Sequence, residues 1–247
     1  MKINVLTLFP QIVESYFRSS IMGRAVEKGI VEYRVVDIRD YAPDKHRTCD
    51  DAPYGGGAGM VLKPEPLGRA LEAVGAGETR TIYVTPAGKP YSQAYAGELS
   101  REPAITVLCG RYEGVDQRII DLYVDDEISI GEYVLSSGEL AGCVVIDAAF
   151  RLIEGVISGE SLEEESFRDG LLEYPHYTRP VEWGGLKVPE VLLSGHHKRI
   201  EEWRLEKRFE KTRKNRPRLL EEKCYREDAG VRRDRRDDRE KENKDKE

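Results

Sequence analysis

Three nearly unbroken apolar runs, Ile3–Phe9, Thr81–Thr85 and Ala104–Cys109, constrain this chain most, because each ends abruptly at proline or glycine. Strands with one wet face alternate apolar and polar residues. Runs without that alternation read as strands covered on both faces, as in a parallel sheet under helices. A fourth run at Val31–Val36 and a short one at Ile128–Ile130 complete the set. Pro10 suits the first turn of a helix, and Ile12, Val13, Tyr16 and Phe17 then recur on one face. A turn is expected at Ala87–Pro90, with a helix over Tyr91–Ser100, a shorter one over Asp116–Leu122 and a buried one over Glu139–Ile153. The segment Asp37–Gly59 has no core period. The pattern predicts an α/β fold.

A chain of 247 residues can bury one good core and leave material for a small second domain. The acidic, irregular stretch from Glu160 to Gly170 marks the boundary. Beyond it Pro175, Pro180, Gly184, Gly185 and Pro189 exclude long elements until a helix from about Lys198 to Phe209. The expected division is a first domain over 1–160, a linker over 161–173, a helical domain over 174–224 and a flexible charged tail over 225–247. No apolar run is long enough to cross a bilayer, and the N-terminus lacks a small-residue cleavage site, so the chain reads as cytoplasmic. Cys49, Cys109, Cys143 and Cys224 are widely spaced and read as free thiols.

The formal net charge of −7 argues superficially against a nucleic-acid partner, but the charge is unevenly spread. Between Arg204 and Arg218 eight lysines and arginines face only Glu206 and Glu210. That stripe is a candidate phosphate-binding surface. His46, in Asp44-Lys-His-Arg47, also fits phosphate contact better than metal ligation. His196 and His197 have no cysteine or carboxylate at zinc spacing, and no structural metal is predicted.

Two glycine-marked loops carry the strongest functional signal. One begins at Gly110 after the Ala104–Cys109 run, and the other, Ile130–Leu140, follows the Ile128–Ile130 run. In a parallel sheet both fall at the edge formed by the strands' carboxyl ends, where such folds bind ligands. Backbone amides there can read the polar edge of an adenine while Ile130, Val134 and Leu135 cover its face. A third glycine cluster, Asp50–Met60, lacks the Gly-Lys-Ser/Thr end of a phosphate loop and reads equally as a mobile surface loop or a ligand loop. Carboxylates of Glu163–Gly170 could serve as a general base, and Arg151 could offset negative charge on a substrate oxygen; both also read as ordinary solvated or salt-bridged groups.

Taken together, these segments resemble the bacterial tRNA (guanine-N1-)-methyltransferase family, TrmD. The matching stretches include Leu8-Phe-Pro10, Asp44-Lys-His-Arg-Thr48, Pro53-Tyr-Gly-Gly-Gly57, Cys109-Gly-Arg-Tyr-Glu-Gly114, Tyr133-Val-Leu135, Gly138-Glu-Leu140 and Pro175-His-Tyr-Thr-Arg-Pro180, in order over most of residues 1 to about 222. The resemblance implies a SPOUT methyltransferase domain with a deep trefoil knot, roughly between Thr85 and Leu140, plus a small helical C-terminal domain. It implies S-adenosylmethionine as cofactor, tRNA as substrate and a homodimer whose active sites combine both subunits. It also associates transfer with magnesium, for which no protein site is predicted.

By position, the resemblance implies that Tyr83, Val84, Thr85 and Pro86 floor the cofactor site, and that Gly110 and Ile130, Gly131, Glu132, Tyr133, Val134 and Leu135 surround the cofactor. Gly138 and Leu140 complete the loop, with Glu113 near the methionine end or the guanine. His46, Arg47, Tyr54, Gly55, Gly56, Lys207, Lys211 and Lys214 are the expected tRNA contacts. The implied reaction methylates N1 of the guanine immediately 3′ of the anticodon, position 37, with Arg151 offsetting charge at O6. The family commonly has aspartate before Ser-Phe, whereas this chain has Glu165 before Ser166-Phe167. Glu165 is the favoured base and Asp169 its competitor. The alternatives are a related SPOUT RNA methyltransferase of different site specificity and a non-catalytic RNA-binding homodimer.

Overall fold

The computed structural model describes residues 1–159, 165–167 and 169–221. Expectations about the charged tail, and about positions 161–164 and 168 of the linker, lie outside the described residues. The chain divides into two compact units, Met1–Gly159 and Glu160–Glu247.

The first unit contains the strands β1 (Lys2–Thr7), β2 (Glu32–Asp37), β3 (Asp50–Asp51), β4 (Val61–Leu62), β5 (Arg80–Pro90), β6 (Ala104–Cys109) and β7 (Asp126–Ser129). Its helices are α1 (Pro10–Phe17), α2 (Ser20–Glu27), α3 (Pro64–Ala73), α4 (Gln93–Leu99), α5 (Gln117–Tyr123) and α6 (Gly138–Phe150). Five strands form a parallel sheet in the order β2-β1-β6-β5-β7, while β3 and β4 make a small antiparallel ribbon.

Both faces of the sheet are buried, as the unalternating runs require. Ile3, Val5, Ile82, Val84, Ile105 and Val107 pack on one face against Val13 and Phe17 of α1 and Val145, Ile146 and Phe150 of α6. Leu6, Tyr83 and Leu108 point to the opposite face, against Leu67 and Leu71 of α3 and Ile119 of α5. Period two is therefore present in the strands, hidden because both sides are apolar. Local signals start the helices: Ser92 accepts from the Tyr95 amide, and Asp116 accepts from the Arg118 amide.

The structure corrects four details. Ala87–Pro90 is no turn, because β5 continues through it. Val84 and Lys89 both pair with Ile128, so Thr85–Gly88 form an irregular bulge before Lys89 and Pro90 rejoin β7. The polar segment after Asp37 contains a 3₁₀ turn, Ile38–Tyr41, with Ile38 fully buried. Helix α3 escaped the reading although Pro64 opens it and Leu67, Ala70 and Leu71 share its buried face.

The fourth correction concerns the second unit, whose final helix is longer than expected. That unit holds a short hairpin, β8 (Glu182–Trp183) and β9 (Leu186–Lys187), turned at Gly184 and Gly185, and the helices α7 (Glu190–Leu193) and α8 (His197–Asn215). Among the described residues no helix is long and apolar enough to cross a membrane.

Candidate active site

The carboxyl ends of β5, β6 and β7 open into a cavity of about 250 Å³. Its floor is Tyr83, Val84, Thr85 and Pro86. Its walls are the turn after β6, which supplies Gly110, Arg111, Tyr112 and Glu113, and the loop after β7, which supplies Ile130, Gly131, Tyr133, Val134, Leu135 and Gly138. The two turns touch. The Gly138 amide donates to the Gly110 carbonyl at 2.9 Å, and a Cβ on Gly138 would lie 2.6 Å from the Gly110 nitrogen. A Cβ on Gly110 would lie 2.9 Å from the Tyr83 ring. Glycine at both positions is thus what lets loop, turn and floor close into one wall with exposed backbone polar groups.

Of the expected cofactor residues, Glu132 and Leu140 do not line this cavity. The reason for Leu140 is helical geometry. Gly138 and Ala141, three apart on α6, face the cavity, whereas Leu140 is turned away and 58% exposed. Arg111, Tyr112, Ser136, Ser137 and Ala141 also line it, and none of them is among the expected cofactor residues. The first two lie inside the Cys109–Gly114 motif, and the i+3 spacing from Gly138 pointed to Ala141.

The lining has a definite chemistry. Tyr133 and Val134 are exposed apolar side chains beside the hydroxyls of Thr85, Ser136 and Ser137. Burial pushes the Tyr83 phenol up, so it stays protonated. Arg111 lies over the Phe9 ring at 4.7 Å, and Arg39 lies 5.2 Å from the same ring.

Glu113 joins the glycine cluster to this rim. Its amide donates to the Met60 carbonyl at 3.0 Å, and its side chain lies against Gly59, where an added Cβ would fall 2.4 Å from Oε1. Farther along, Gly55, Gly56 and Gly57 all take positive φ and Tyr54 is fully exposed. The His46–Arg47 turn is ordered by Asp44, whose carboxylate accepts from the Thr48 hydroxyl and then from the Thr48 and His46 amides, which hold its pKa down. Arg47 pairs with Asp40 at 2.9 Å. Arg151 caps the C-terminal end of α6.

In the second unit, Ser166 and Phe167 fold back on residues 171–173. The Glu173 amide donates to Ser166 Oγ at 3.1 Å, and the Phe167 amide donates to the Leu171 carbonyl at 2.9 Å. Asp169 forms a forked ion pair with Arg208, at 3.0 and 2.5 Å. The cations of the basic stripe differ in what they bind. Arg204, Arg208 and Thr212 hold the 169–174 segment, whereas Lys211 and Lys214 have no ion-pair partner among the described residues. Lys207 is joined to Glu210 at 2.7 Å. Among the described residues no group of three or more histidines, cysteines and carboxylates could hold a metal ion.

Comparison with known proteins is consistent with this geometry. A family profile described as tRNA (Guanine-1)-methyltransferase TrmD matches residues 1–222. A tRNA (guanine-N(1)-)-methyltransferase of Treponema denticola is 65% identical over 221 residues, covering 90% of this chain and 91% of the relative. Proteins of the same description from Borreliella burgdorferi and Treponema pallidum are 61% and 60% identical, over 87% and 89% of this chain and 91% and 88% of their own lengths. With its sheet of parallel strands and a glycine-walled cavity at their carboxyl ends, the chain belongs to the tRNA (guanine-1)-methyltransferase family, TrmD, of the SPOUT superfamily, and is a methyltransferase.

Proposed function

We propose that the protein transfers a methyl group from S-adenosylmethionine to N1 of the guanine immediately 3′ of the tRNA anticodon, position 37. The observation that carries this reading is the contact between Gly110 and Gly138, which joins two strand-end turns around one cavity. The cofactor fits the chemistry of that lining. Backbone groups bared by glycine suit the polar edge of adenine, and Val134 and Leu135 suit its face. When bound, S-adenosylmethionine supplies an electrophilic methyl group on sulfonium sulfur.

Guanine N1 carries a proton, so its lone pair is unavailable until that proton leaves. Glu165 takes it. Negative charge then spreads toward O6, and Arg151 offsets it. Asp169, whose two oxygens accept from Arg208, is the competing base candidate. No step is assigned to magnesium.

Lys207, Lys211 and Lys214 of α8, with His46, Arg47, Tyr54, Gly55 and Gly56, contact the tRNA, whose phosphates position it without specifying a base. The chain acts as a homodimer with composite sites. Leu140 and Val144, four apart on the outer side of α6 and 58% and 47% exposed, are an apolar surface suited to that contact. The path between Thr85 and Leu140 forms the family's trefoil knot.

Mapping methyl transfer on tRNA transcripts tests this proposal. Replacing the guanine at position 37 should abolish incorporation. Continued modification elsewhere would assign a different RNA site, and no transfer to any tRNA, with intact cofactor binding, would leave an RNA-binding protein.

A further inference from the structure

Arg208 counts in the sequence as one of eight cations in a basic stripe, yet its side chain is only 17% exposed and faces away from solvent. It donates Nη1 and Nη2 to the two oxygens of Asp169, at 3.0 and 2.5 Å, and Nε to the Leu172 carbonyl at 3.2 Å. Four residues on, Thr212 is fully buried and accepts from the Leu172 amide at 2.9 Å. Four residues back, Arg204 lies over the Tyr174 ring at 4.5 Å. Positions 204, 208 and 212 form one stripe of an α-helix. Asp169 in turn accepts from the Leu171 amide at 3.3 Å, and Leu171 accepts from Phe167, two residues after Glu165.

We propose that Arg208 is a positioning residue for methyl transfer, fixing the Glu165–Phe167 turn to α8 through its fork on Asp169. The inference rests on the reading of Glu165 as the base. It assigns Asp169 a mechanical task. The helix that carries Lys211 and Lys214 and the turn that carries Glu165 then move as one body. Engagement of tRNA by these lysines thereby sets where the carboxylate stands. A fork is suited to this because two parallel hydrogen bonds fix direction as well as distance, which a lysine ammonium does not.

Single-turnover transfer at saturating tRNA and S-adenosylmethionine tests it, with tRNA affinity measured separately. Arg208→Gln and Asp169→Asn should each slow transfer about tenfold or more with tRNA affinity within about twofold, since small misplacement of a reacting group costs rate before binding. The double substitution should be no slower than either single one. Arg208→Lys, which keeps charge and stem, should recover only part of the rate and guards against a merely unfolded variant. Additive losses, or weaker tRNA binding at an unchanged rate, would overturn the proposal. Glu165→Gln separates the two readings. If it transfers normally, the base assignment fails. If it is slow while Arg208→Gln is normal, only the positioning role fails.

Discussion

The amide of Gly138 and the carbonyl of Gly110 are joined at 2.9 Å, so the first residue of α6 rests directly on the turn that follows β6. A methyl group at 138 would meet backbone 2.6 Å away at Gly110 and 3.0 Å away at Cys109, atoms that cannot swing aside. Gly138→Ala should therefore destabilise the fold by about 1–3 kcal/mol and weaken S-adenosylmethionine binding at least about tenfold by calorimetry. Gly97, inside α4, has nothing within 4 Å of an added Cβ. Gly97→Ala should bind the cofactor normally and gain about 0.5–1 kcal/mol from helix propensity.

Thr7 and Glu139 form a second link to α6. The fully buried Thr7 hydroxyl donates to Glu139 Oε1 at 2.6 Å while accepting from the Phe9 amide at 2.8 Å. Thr7→Val keeps the shape and removes both interactions, leaving a buried carboxylate oxygen without its donor. Urea unfolding should show a loss of about 2–4 kcal/mol with an unchanged slope. Thr7→Ser should recover most of it. A Thr7→Val protein as stable as the parent would show that this contact carries no net stability.

The thiols near Glu139 predict an alkaline limit. Burial, then the negative charge of Glu139, pushes Cys109 up, and burial with Glu139 and Asp147 pushes Cys143 up to about 11. At about pH 8 both should react slowly with iodoacetamide in the native protein, followed by site-resolved mass spectrometry. The sign for stability follows from proton binding. Above the ordinary thiol pKa the unfolded chain has released protons that the native chain retains, so stability falls as pH rises toward the native values. Cys143→Ser should flatten that decline.

The lysines of α8 should differ in weight. Lys207 is already engaged by Glu210, whereas Lys211 and Lys214 have no ion-pair partner among the described residues. Lys211→Ala and Lys214→Ala should each reduce the slope of log affinity for tRNA against log salt by about 0.7–0.9, and Lys207→Ala by less. Cofactor affinity should not change. Equal loss of cofactor binding would contradict the division of labour.

The sheet was legible because Ile3–Phe9 and Ala104–Cys109 have no polar alternation, and the cavity because glycines stop the runs before it. The bulge at Thr85–Gly88 was not. Pro86 and Gly88 are turn residues locally, and only the approach of Gly88 to the Ile128 backbone, where an added Cβ would lie 2.4 Å from nitrogen, shows why the strand resumes. Likewise, Arg208 and Lys207 are adjacent cations in sequence. Their different partners, Asp169 for one and Glu210 for the other, are set by the fold of the second unit, and no local pattern records that.

The strand order also fixes when the cavity can come into being. As the chain is made from its N-terminus, β1 and β2 have each other to pair with early, but β5 waits for β6, which enters between it and β1. The enclosing contact waits longer still, until Gly138 has emerged and returned to Gly110. A ribosome-bound fragment ending before α6 would carry all five strands of the sheet but neither the Gly138 contact that closes the cavity nor the Val145, Ile146 and Phe150 side chains that cover one face.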